Sequence, residues 1–178
     1  MEGGVTRRSH AWRILQGAEY EDVWNDFTLA FDFRPSTSPW DWPGFREPVP
    51  SITYALSVQE DEGLIDEFYD VMRAHLLACS RPDEEVYGLD WQHECQRYRP
   101  HAVFGDETAE RAVRWTAYLM PDGDYAITLA DDWRWGVLGH PWERSICVFG
   151  EGLVEVVRTR PPRLFDRVLR VDGRPDPS

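Results

Sequence analysis

The segment that most constrains the fold runs from Tyr118 to Gly150, YLMPDGDYAITLADDWRWGVLGHPWERSICVFG. Pro121-Asp122-Gly123-Asp124 stands between two runs in which apolar residues alternate with period two, the strongest short-range signal for a β-hairpin. Val113, Trp115, Ala117 and Leu119 share one face of the first run, and Tyr125, Ile127 and Leu129 share one face of the second. Trp135–Leu138 and Ser145–Phe149 extend the pattern into a meander. Antiparallel sheet is therefore expected at the centre of the molecule.

Elsewhere the pattern changes period. From Glu19 to Phe31, Tyr20, Val23, Trp24, Phe27 and Phe31 form a helical stripe, although Thr28–Phe33 also reads as a short strand. Residues 34–50 hold five prolines and read as a long loop whose Trp40, Trp42 and Phe45 must pack or mark a binding surface. Ser51–Leu56 reads as a strand. Ser57 and Glu60 form a capping box for a helix that runs to Cys79 along Leu64, Phe68, Val71 or Met72, and Leu76. Val86–Trp91 is a further strand and HECQRYRPH an irregular segment; GLVEVVRTR fits a helix or a strand, and RLFDRVLRV is amphipathic. Together these predict one α+β domain over residues 1–178, mainly an antiparallel sheet of five to six strands with two to three helices packed on it. Residues 1–11 and 173–178 are expected to be flexible.

Composition limits the chemistry. Nine Trp, eight Phe and seven Tyr supply an aromatic core, and all 19 basic residues are arginine. Without lysine there is no Schiff-base amine, phosphate-loop lysine or kinase lysine, so pyridoxal enzymes, P-loop nucleotidases and ordinary kinases are excluded. The net charge of −13 is uneven: residues 158–178 carry six Arg against three Asp, leaving −16 on the rest. An acidic body repels phosphate backbones and anionic membranes and attracts basic partners, so a basic protein partner is expected and nucleic acid or membrane is not. Cys79, Cys95 and Cys147 form no close pair, which fits a reducing cytoplasm. Neither a signal peptide nor a membrane span is expected.

The familiar catalytic signatures are missing, and the candidates are a loose constellation. His140, Glu143, His93, Asp90 and His101 follow strands and are candidate acids, bases or ligands, with His93, Cys95 and His101 the metal candidates. Their spacing matches no established ligand set, and no cofactor is expected. His140, in a Gly-His-Pro turn, is expected to satisfy buried backbone groups, and Glu143 to form a local ion pair with Arg144 or Arg134. Cys147 is expected to be an inert buried thiol. Trp40, Trp42, Asp131, Asp132, Trp133 and Trp135 are the candidate binding residues, since tryptophans rimmed by charge are a common anchor at interfaces.

The Gly-Asp-Tyr strand, the Gly-His-Pro-Trp-Glu turn and the Cys-Val-Phe-Gly strand, with VYGLDWQH and EYEDVWNDFTLAFDF, resemble the bacterial domain of unknown function 2716 family over most of the chain. That resemblance implies no activity, ligand or catalytic residue for any position here. A looser similarity, by analogy only, is to the small acidic immunity proteins of bacterial toxin systems, which cover a basic surface without performing chemistry. The expected function is thus a non-enzymatic partner-binding module with an acidic, Trp-containing surface, for which an immunity-like role is one form. The alternative is a hydrolase or metal-dependent enzyme built on the His93, His101 and His140 loops.

Overall fold

A computed structural model describes residues 11–58, 62–104 and 119–177. Among them a single sheet of nine antiparallel strands follows the order β1-β4-β3-β5-β6-β7-β2-β8-β9. The strands are β1 (Trp12–Ile14), β2 (Ser51–Leu56), β3 (Val86–Asp90), β4 (Gln96–Tyr98), β5 (Ala126–Ala130), β6 (Gly136–His140), β7 (Ser145–Phe149), β8 (Phe165–Val171) and β9 (Arg174–Pro175). Four α-helices accompany them: α1 (Gly17–Phe31), α2 (Glu62–Cys79), α3 (Pro100–Val103) and α4 (Glu151–Thr159). None of the described helices is long and apolar enough to cross a membrane.

Nine strands and four helices replace the expected five to six strands and two to three helices. The additional strands escape a period-two reading for identifiable reasons. β1, β4 and β9 are two or three residues long, too short to show alternation, and β4 lies inside the HECQRYRPH segment expected to be irregular. β8 reads as amphipathic at either period, and its pairing with β2 contains register shifts.

The hairpin expectation also changes. Gly123 does turn the chain with φ of +79°, but β5 is hydrogen-bonded to β3 on one edge and β6 on the other. The expected strand Arg111–Met120 lies, through residue 118, outside the described residues, as does Glu60 of the expected capping box; Leu119 and Met120 form a bend. Alternation shows that a run is extended but not which edge it joins.

Both faces of the sheet are covered. On one, α2 and α4 bury Phe68, Met72, Leu76, Leu153, Val154 and Val157 against Ile52, Tyr54, Val137, Ile146 and Val148. On the other, α1 buries Val23, Phe27 and Phe31 against Leu89, Ile127, Leu129, Leu138, Cys147 and Phe149. Every residue of β5, β6 and β7 is consequently buried. At about 25 cal/mol per Å² of apolar surface removed from water, this two-sided burial is the main force holding the helices to the sheet. α1 ends at Asp32, in the left-handed conformation, and Arg46 donates to the carbonyls of Ala30 and Phe31, tying the proline-rich loop to the helix end.

Candidate functional site

Three polar clusters lie on or beside the face covered by α1. The first is centred on His140, the last residue of β6, which is wholly buried. Its Nδ1 accepts the backbone N–H of Glu143 at 3.0 Å, so the neutral ring carries its proton on Nε2, 3.2 Å from Tyr125 Oη. Burial lowers its pKa to about 4, against which the nearby Glu143 carboxylate works only partially. The ring is neutral at physiological pH. Tyr125 Oη accepts the backbone N–H of Ser36 and contacts the Ser36 carbonyl, while Trp42 and Trp142 meet the imidazole edge-on at 5.3 and 6.0 Å. The Gly-His-Pro-Trp-Glu turn thereby fastens the proline-rich loop to the end of the sheet.

The second cluster is an ion-pair chain. Arg170 of β8 forks onto both oxygens of Glu143 at 2.6 and 2.7 Å and donates from Nε to Glu47 at 2.7 Å. Thr53 donates to the same Glu47 oxygen, and Ser145 to Glu143. Burial alone would raise the Glu143 carboxyl, but the hydrogen bonds from Arg170 and Ser145 outweigh it and hold the group below the usual carboxylate range. The expected partner of Glu143 was Arg144 or Arg134; the arginine that pairs with it, Arg170, stands 27 positions away. Only pairing across the sheet brings Arg170 opposite Thr53 on this face.

In the third cluster, His93 Nδ1 lies 2.8 Å from Asp90 Oδ1 and 3.7 Å from Asp124 Oδ2. The two other metal candidates point elsewhere, His101 lying at the opposite end of β3. Cys95 is buried, its thiol bonded to the backbone of Asp90 and raised in pKa by desolvation, and His101 Nε2 contacts the Ser80 carbonyl at 3.0 Å beside the end of α2. Thus the rings of His93, His101 and His140 each engage different partners. Cys147 is fully buried, and desolvation pushes its thiol far up, so no thiolate forms there.

The tryptophans also differ in placement. Trp40, on a 3-10 turn of the proline-rich loop, is 95% exposed, whereas Trp42 packs on His140. Trp133 stacks on Phe31 at 5.5 Å and Trp135 is buried. Asp132 is paired with Arg134, and Asp131 lies within 4 Å of Arg81 and Arg97. A feature that the sequence did not single out is a cleft of about 550 Å³ between α1 and the proline-rich loop, lined by Tyr20, Glu21, Trp24, Phe33, Pro35 and Trp91. Of its aromatics, Tyr20 and Trp24 belong to the expected stripe of α1, whereas Phe33 falls in the alternative strand Thr28–Phe33 and Trp91 in the expected strand Val86–Trp91; one side of the stripe is left uncovered.

Fold and clusters together define an antiparallel nine-stranded domain covered on both faces, whose buried polar groups brace a loop. The chain belongs to the family described as protein of unknown function (DUF2716), whose model matches residues 14–154. It is also similar to the uncharacterized protein YxiI of Bacillus subtilis (strain 168), with 32% identity over 161 residues that cover 86% of this chain and 96% of the relative. No solved structure matches.

Proposed function

We propose that the protein is a non-enzymatic binding module whose α1 face receives a basic protein partner, with the cleft of Tyr20, Trp24, Phe33 and Trp91 accepting an arginine or lysine side chain. The observation that carries this is the coincidence of aromatic rings with acids that have no ion-pair partner among the described residues. α1 contains no basic residue, and Glu21, Asp22 and Asp26 are exposed along it, with Glu21 itself lining the cleft. A guanidinium over an aromatic face gains about 0.5 to 2 kcal/mol, and the surrounding acids accelerate encounter. Trp40 supplies a second anchor on the same loop that lines the cleft with Pro35. An immunity-like role is one form of such binding, because covering a basic surface needs charge and anchors rather than chemistry.

Titrating the protein with a short arginine-containing peptide, read by tryptophan fluorescence, tests this. Saturable quenching that weakens with added salt is expected, with Trp91→Ala and Glu21→Gln each reducing affinity several-fold. Binding that ignores salt and both substitutions, or no binding, would overturn the proposal.

A further inference from the structure

We propose that Asp90, His93 and Asp124 form a binding site for one divalent transition-metal ion, Zn²⁺ or Mn²⁺ in class. Asp90 ends β3 and pairs with Ala126, so the antiparallel register sets Asp124, two residues earlier, at the same corner of the sheet. His93 comes from the loop that returns to β4. One ligand atom from each residue lies within 4.8 Å of the other two. Two ligands bound at about 2.1 Å in tetrahedral or octahedral arrangement stand about 3.0 to 3.4 Å apart, and the separations of 2.8 and 3.7 Å bracket that range. Imidazole with two carboxylates suits Zn²⁺ or Mn²⁺ and lacks the oxygen count that Ca²⁺ requires.

Charge supplies the second, independent reason. The side chain of Asp124 is only 6% exposed; its Oδ1 accepts the Tyr125 N–H, while no donor among the described residues reaches its Oδ2, which faces His93. The other buried acids have a built-in cation: Arg134 lies on Glu84, and Arg170 on Glu47. Among the described residues His93 is the one cationic side chain within 4 Å of Asp90 and Asp124, and its ring, 70% exposed, leaves the front of the site open. A metal cation supplies the missing charge.

The experiment is equilibrium dialysis of the chelator-treated full chain against Zn²⁺ and, separately, Mn²⁺, which ignores thiols. One ion per chain is expected, with affinity reduced roughly tenfold or more in His93→Ala and Asp124→Asn and unchanged in Asp131→Asn. If Asp124→Asn fails to fold, His93→Ala, altered at an exposed side chain, decides alone, its native fold checked by circular dichroism. No saturable Mn²⁺ or Zn²⁺ binding, or undiminished affinity in His93→Ala, would overturn the site whatever the peptide titration shows.

Discussion

At His140 the folded chain holds a neutral imidazole whose two nitrogens serve the Glu143 amide and the Tyr125 hydroxyl. Its folded pKa of about 4 lies below the ordinary 6.5, so the unfolded chain takes up the proton first as pH falls. Stability from this group is complete above about pH 6.5 and is lost progressively down to about pH 4, about 3 kcal/mol in all. Denaturant melts between pH 7 and 4 check this: His140→Gln should lower stability at pH 7 and flatten the slope across that window. At Arg170, replacement by Met leaves Glu47 and Glu143 buried without their cation and should cost about 3 to 5 kcal/mol, measured by urea unfolding at neutral pH. Sequence singles out His140 as a partner for nearby backbone groups but does not single out Arg170. The turn partners of His140 lie three residues away, whereas Arg170 meets acids remote in the chain.

The proline-rich loop shows how an irregular element becomes fixed. Gly44 adopts φ of +74°, and a Cβ there would come within 2.9 Å of both the Arg34 carbonyl and Tyr125 Oη. Gly44→Ala should therefore destabilise the protein by more than about 1 kcal/mol and loosen the loop, seen as faster limited proteolysis between residues 34 and 50. Tyr125→Phe should produce a milder form of the same effect. Among regular elements, β2, β7, α1 and the end of α2 were legible because each has a full period of buried side chains: β2 and β7 match residues 51–56 and 145–149. β1 and β4 were not, because three-residue strands hold only by pairing with each other and with β3, which is a matter of contact and not of pattern.

For the whole molecule, β8 is decisive although it follows the segment matched by the family model. It covers the outer edge of β2 and delivers Arg170 to the buried acids. A chain ending at residue 164 should fail to fold cooperatively and should aggregate, seen as lost thermal transition and early elution on gel filtration, since a bare β2 edge and two unpaired carboxylates would remain. By itself the sequence determined that the molecule is an acidic, lysine-free, aromatic-rich α+β chain with antiparallel strands at its centre, because composition and local periodicity act over a few neighbouring residues. Tertiary structure alone decided the strand order, the covering of both faces, the cleft beside α1 and the meeting of Asp90, His93 and Asp124. Each depends on which strand edges and loops come together, and that is settled by packing between residues far apart in the chain.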